Sequence, residues 1–166
     1  MAPPKPQLLF TITEYLGKTP VEIGPVKSGA KRIFYPTESG HISGPALGDK
    51  EAKITPGGGD WLLLDEEAKA LHLNMRLCAS IPDGNALYIT IRGIIRLNEA
   101  VLKVIESAPD AKSTDFTDQD FWGSLIVETN SGSLKHLETS LLIAQGRFFI
   151  EGDLVGAQHE VYALAH

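Results

Sequence analysis

Asp60 and Trp61 stand directly after three glycines, in the run Thr55-Pro56-Gly57-Gly58-Gly59-Asp60-Trp61. Consecutive glycines free the backbone from side-chain sterics and permit positive φ and close approach of another chain or a ligand. A carboxylate held beside an indole and away from water has its pKa raised, which suits a general acid. In the structural alternative, Asp60 caps a turn or pairs with an arginine and Trp61 packs in the core. His136 and Glu138 lie two apart, which places them on one face of a strand. Such a pair could transfer protons, because His titrates closest to neutral pH. Two further ligands at metal-site spacing are missing, so no metal is expected there. Arg76 and Arg92, with Tyr88 between them in sequence, fall on matching faces of a proposed hairpin. Facing a lumen, two guanidiniums and a phenol could stabilise a developing oxyanion. Facing outward, they are solvated strand residues, and the apolar opposite face fits a packed interior. Arg32 and Glu128 are secondary binding candidates whose bland reading is a surface ion pair.

These side chains need a scaffold of strands. Ala70–Cys78 alternates, with Leu71, Leu73, Met75 and Leu77 on one face and His72, Asn74 and Arg76 on the other. Pro82-Asp83-Gly84-Asn85 is a turn, and Ala86–Ile94 alternates again, so the two segments form a hairpin of period two. Further strands are expected at Leu8–Tyr15, Lys31–Tyr35, Trp61–Leu64, Phe121–Thr129, Leu134–Gln145, Arg147–Gly152 and His159–Leu164. Glycines 40, 44 and 48 suit short strands with bulges rather than helices. Leu97–Ala108 is the one good helix candidate, with Asn98 as cap and Pro109 as stop. Asp110–Asp120 is acidic and reads as a loop or lid. Many short strands at regular spacing predict a mainly β fold, an antiparallel barrel with one short helix, because closure removes exposed edges. A barrel of this size can hold one small ligand. Residues 1–6 read as a flexible proline-rich tail and 7–166 as one barrel domain.

Composition excludes several classes. The chain has 166 residues, 43% hydrophobic and 22% charged, which favours a folded globular domain over disorder. A net charge of −6 without a Lys/Arg run argues against nucleic-acid binding. Cys78 is the only cysteine, which excludes an internal disulfide, and its surroundings read as those of a small buried hydrophobe. No apolar run is long enough to span a membrane, so a cytoplasmic protein is the default expectation. No nucleophile elbow, phosphate loop or dinucleotide fingerprint is present, so no cofactor is expected.

Gly29-Ala30-Lys31-Arg32, Gly40, Gly44-Pro45, Leu47-Gly48, Pro56-Gly57-Gly58-Gly59-Asp60-Trp61 and Asp83-Gly84 resemble the family called domain of unknown function 3237. Leu137, Ile143-Ala144, Gly146 and Val161-Tyr162 extend the resemblance almost to the end of the chain. It implies a lipocalin-like, calycin-like barrel. Some fungal members in natural-product pathways are thought to be cofactor-independent cyclases or isomerases that add a phenol oxygen to an alkene or enone. This chain has Asn74-Met75-Arg76 where the family has Asp-x-Arg, and His136-Leu137-Glu138 where it has Trp-Leu-Asn. One acid is lost and another gained, as in a polar site rebuilt for a specialised pathway.

The expected function is therefore a cyclase or isomerase for a small phenolic or polyketide-derived metabolite. Asp60 or Glu138 would supply the proton, and His136, Arg76 or Arg92 would manage the phenol oxygen, with Trp61, Tyr88, Arg32 and Glu128 contacting substrate. The alternative is a lipocalin-like binding protein without catalysis. A third option is a structural subunit of a homo-oligomer, a homodimer being the simplest. The discriminating feature is whether Asp60, Arg76 and His136 or Glu138 converge in one cavity.

Overall fold

The computed structural model describes residues 5–165, and residues 1–4 of the expected tail lie outside the described residues. Nine strands form one antiparallel sheet: β1 (Lys5–Leu16), β2 (Val21–Pro25), β3 (Lys31–Ser43), β4 (Ala52–Asp65), β5 (Ala70–Ser80), β6 (Ala86–Arg96), β7 (Phe121–Thr129), β8 (Leu142–Glu151) and β9 (Leu154–Ala165). Their order is β1-β9-β8-β7-β6-β5-β4-β3-β2, and β1 also pairs with the second half of β3, from Thr11↔Ser43 to Leu16↔Thr37. Eight strands thus close into a barrel, as the sequence pattern predicts, and β2 is a short flap on β3 outside the ring. Lys5 and Pro6, expected in the tail, are already strand, opposite Ala165 and Leu164. Among the described residues no helix is long and apolar enough to cross a membrane.

The β5–β6 hairpin follows the predicted alternation in unbroken register, from Ala70↔Arg96 to Ser80↔Ala86. Leu71, Leu73, Met75 and Leu77 are buried in the barrel, together with Leu87, Ile89 and Ile91 from β6. The glycine triplet turns a barrel corner. Against β5, Thr55 faces Cys78 and Gly59 faces Arg76, so four steps on β4 span two on β5. A bulge of this kind bends the strand sharply. It lets Ile54 join the core at one end of the barrel and Leu62 the core at the other. A Cβ on Gly59 would lie 2.4 Å from the Tyr35 carbonyl oxygen and 2.6 Å from the Phe34 ring, at φ +159°. Gly59→Ala is therefore expected to lower the unfolding free energy by about 2–3 kcal/mol in urea titration. A loss under about 0.5 kcal/mol would show that the corner relaxes freely.

One end of the barrel is plugged. Phe10, Ile12, Ile42, Ile54, Met75, Ile89 and Ile91 belong to an apolar cluster that also takes in Leu47, Leu134 and Leu137 from two 3-10 segments, Pro45–Leu47 and Gly132–Thr139. Two expectations change here. The glycine-punctuated stretch around Pro45 contains a 3-10 turn, not only strand. Leu134–Gln145 is also not one strand, because Leu134 and Leu137 are buried at three-residue spacing, the period of a 3-10 helix, and β8 starts only at Leu142.

The other end is looser. Leu62, Leu71, Leu73, Ile95, Phe121, Phe148 and Ala157 form a second cluster, covered by the helix α1 (Glu99–Ile105) through Val101 and Val104. Asn98 caps the helix as expected, its side-chain oxygen accepting the Val101 N–H at 2.9 Å. The helix is shorter than the predicted Leu97–Ala108, and Ser107 follows it in a left-handed conformation, φ +52°. The acidic loop is pinned rather than free. Thr114 N–H donates to the Phe148 carbonyl at 2.9 Å, and Phe148 N–H donates back to the Thr114 hydroxyl at 3.0 Å. This occupies β8 beyond Gln145, the last β8 residue opposite β7 at that end.

Candidate functional site

Between the two apolar clusters lies a polar waist. On β9, His159 sits between Ala157 of one cluster and Val161 of the other. On β1, Glu14 shares the inward face with Phe10 and Ile12 by period-two alternation. Asp60 joins them from β4, just past the glycine corner, and Thr37 from β3. Asp60 is 7% exposed, Glu14 2%, Thr37 2% and His159 2%, so all four are withdrawn from water.

Three of the four are linked by hydrogen bonds through Glu14, and Asp60 stands beside them without a direct bond. Glu14 Oε2 accepts the Thr37 hydroxyl at 2.7 Å, and Oε1 accepts the Nε2–H of His159 at 3.3 Å. The imidazole stands edge-on to the Phe121 ring, with centroids 5.2 Å apart. Asp60 Oδ1 accepts the backbone N–H of Asn74 at 2.8 Å. Burial pushes the Asp60 carboxyl up to about 7, and the Glu14 charge adds to the rise; the Asn74 amide and the Arg32 guanidinium pull it partly back. An acid in this range holds its proton near neutral pH and can release it, as general acid catalysis requires.

Glu14, Asp60 and His159 face a cavity of about 50 Å³ whose other walls are apolar, among them Leu62, Leu73, Phe121 and Phe148. A much larger cleft of about 1010 Å³ opens outside it, between the β2–β3 flap and α1. The two spaces share Tyr35, Leu62 and Ile105 as wall residues. Burial, with a smaller contribution from Glu22, pushes the Tyr35 phenol upward, so it remains a hydrogen-bond donor. No group of three or more His, Cys, Asp or Glu suited to a metal ion occurs among the described residues.

Of the residues singled out in the sequence, Asp60 lines the inner cavity and Arg32 the outer cleft. Arg32 also donates to the Trp61 carbonyl at 2.5 Å. The remainder do not converge on the cavity. Trp61 points outward, its ring 4.7 Å from that of Phe34, and the Arg76 guanidinium covers it at 5.2 Å. This is an outer-face cation–π stack and not a wall of the lumen. Arg92, Tyr88 and Glu128 share that outer parity on β6 and β7, opposite the buried Ile91, Leu87 and Val127. His136 and Glu138 lie on the 3-10 segment at the plugged end and therefore share no strand face. Glu138 accepts Lys135 Nζ at 2.8 Å and the Thr129 N–H at 2.9 Å, contacts that hold its carboxyl below the usual range. Cys78, expected to be buried, is exposed on the outer face of β5.

Glu14, His159, Thr37 and Tyr35 were missed as site residues. For the first two the signal was present. Phe10, Ile12, Glu14 and Leu16 share one strand face, as do Val155, Ala157, His159 and Val161. An ionisable group on an otherwise apolar face requires a partner, and here each supplies the other's. Tyr35 and Thr37 carry no such mark, because either residue type is ordinary on a strand.

The chain belongs to the family described as Protein of unknown function (DUF3237), which matches residues 4–164. No curated protein matches it. Among solved structures it is similar to a protein with unknown function from Clostridium acetobutylicum ATCC 824, with 21% identity and a TM-score of 0.79 over 99% of each chain. A conserved protein of unknown function from Rhodopseudomonas palustris shares 19% identity, with a TM-score of 0.80 over 99% of each chain. A protein from Penicillium herquei described as an enzyme is more distant, at 11% identity and a TM-score of 0.55 over 96% of each chain. At these identities the likeness is one of fold.

Proposed function

We propose that this protein is a cofactor-independent cyclase or isomerase in which Asp60 donates a proton and the Glu14–His159 pair accepts one. The observation that carries this reading is a carboxylic acid titrating at about 7 in an apolar chamber that also holds a second carboxylate bonded to an imidazole. Separating an acid from a base by environment is the way one site performs both transfers. A distant barrel described as an enzyme supports considering catalysis in this fold.

For a phenol carrying an alkene or enone, the base takes the phenol O–H proton and the oxygen forms a bond to one alkene carbon. The alkene π electrons take the Asp60 proton at the neighbouring carbon. Asp60 is left as a carboxylate and the base protonated, and return of that proton resets the site. The product is an isomer of the substrate, and no oxidant or group donor is consumed. Apolar walls around the reacting oxygen and alkene hold them together and exclude water from the intermediate.

The test is a panel of prenylated phenols, chalcones and related enones incubated with the purified protein. The expected product has unchanged mass and a new chromatographic position. Glu14→Gln should lower that turnover by on the order of a hundredfold, since it removes the acceptor and the charge that helps to hold Asp60 protonated. A folded protein that converts nothing on the panel would reject catalysis on these substrates. The second reading, a small-molecule binding barrel, is favoured by the placement of Arg76, His136 and Glu138 away from the cavity. Saturable binding of a panel member without conversion would support it.

A further inference from the structure

The inner cavity and the outer cleft differ in size and character, and Tyr35, Leu62 and Ile105 stand between them as a neck. The inner space, about 50 Å³, is a third of the roughly 150 Å³ that accommodates a benzene ring, so it has room for about two to four heavy atoms. The reacting oxygen and the alkene carbons it joins fit beside Asp60, but a whole ring system does not. The outer cleft, about 1010 Å³, has ample room for one, over a floor that includes Leu64, Leu71 and Leu102. Its rim carries four basic side chains and four glutamates, and this balance favours an uncharged occupant over an ion of either sign. At the neck, the Tyr35 hydroxyl donates to the Ile105 carbonyl at 3.4 Å, a long and weak bond. Ile105 is the last residue of α1, so at the neck the Tyr35 phenol stands against a helix end, with Leu62 as the third shared wall.

We propose that the neck divides the substrate: a short unsaturated end and the oxygen that attacks it reach past Tyr35 to Asp60 and the Glu14–His159 pair, the rest of an uncharged ring-bearing body remains in the outer cleft, and Tyr35 sets which end groups are accepted. This rests on the acid–base reading for its chemistry, but its geometry is testable without turnover. The substrate class is then an uncharged ring compound with a terminal unsaturated group of about two to four carbons. Bulk on the ring is tolerated, and bulk on the reacting end is not.

The experiment is a binding series of 4-alkylphenols, from methyl to hexyl, measured by calorimetry on the whole protein. Wild-type affinity is expected to rise about fourfold per added carbon until the chamber fills, at about three or four carbons, and then stop rising. Tyr35→Ala adds the volume of a ring at the neck and should move the break to longer chains. Ile105→Ala widens the neck from the helix side and should move it in the same direction, which keeps the test available if the first variant does not fold. Tyr35→Phe retains the ring and should leave the break where it is. The proposal is overturned if no member binds, if affinity climbs through hexyl without a break, or if neither widening variant shifts the break. A break without turnover of 2-allylphenol or of a phenol bearing a vinyl ketone, whose reacting ends fit the chamber, would leave the partition standing and reject the catalytic reading. Turnover without a break would do the reverse.

Discussion

Asp60→Asn is expected to lower turnover of any substrate that the panel identifies by on the order of 10²- to 10⁴-fold, with the fold intact. The amide still accepts the Asn74 N–H and fills the same volume, so the loss is that of a proton and not of packing. The pH profile separates this role from a merely structural one. Only the protonated carboxyl can donate, so the wild-type rate falls as pH rises through about 7, where Asp60 ionises. In Asp60→Asn the residual rate lacks that limb. Buried charge at Glu14 is part of the reason the limb lies so high, hence Glu14→Gln should move it to lower pH as well as slow the reaction. A wild-type profile flat from about pH 5 to 9, or a variant that keeps the full rate, would remove Asp60 from the proposed chemistry.

The barrel was legible because the strands state their period. Leu71, Leu73, Met75 and Leu77, answered by Leu87, Ile89 and Ile91, admit no helical reading, and the Asp83-Gly84 turn between them sets the register. The glycine corner was legible too, since three glycines before an apolar run have few structural uses. What the corner does to its neighbours was only half legible. A strand alternates faces, so Asp60 and Trp61 could not both enter the lumen; the carboxylate turned in and the indole out. His136 and Glu138 misled because a spacing of two has meaning only within a strand, and Gly132–Thr139 is a 3-10 segment. The Glu14–His159 pair joins β1 to β9, residues 145 apart in sequence. Closure of the barrel brings them together, and only the misplaced polarity of each on its own strand hinted at it.

Asp60 should also mark the protein's stability, independently of any substrate. Its carboxyl titrates at about 7 in the folded protein against 3.8 unperturbed. A carboxyl whose folded pKa is raised contributes stability that is fully present below the unfolded value and is lost as pH rises through the folded one. The unfolded chain ionises freely from about pH 4, while the folded protein must either keep the proton or expose a charge to an apolar wall. Integrated over the interval, the loss is about 4 kcal/mol between about pH 4 and 8, nearly all of it complete by pH 7. Other carboxylates pull the total in the opposite direction. Lys50 and Lys103, for example, hold Asp83 and Asp110 below the usual range, and those groups favour folding at higher pH. The quantity to measure is therefore the difference between Asp60→Asn and wild type in urea unfolding across this range. Asparagine carries no proton to lose, so the variant should be close to wild type at about pH 4 and more stable by up to about 4 kcal/mol near pH 8. That result would mean the protein retains a buried acid at a cost in stability, which a role in holding the fold together does not explain. A difference that stays constant with pH would place the Asp60 carboxyl at an ordinary pKa and leave the waist without its acid.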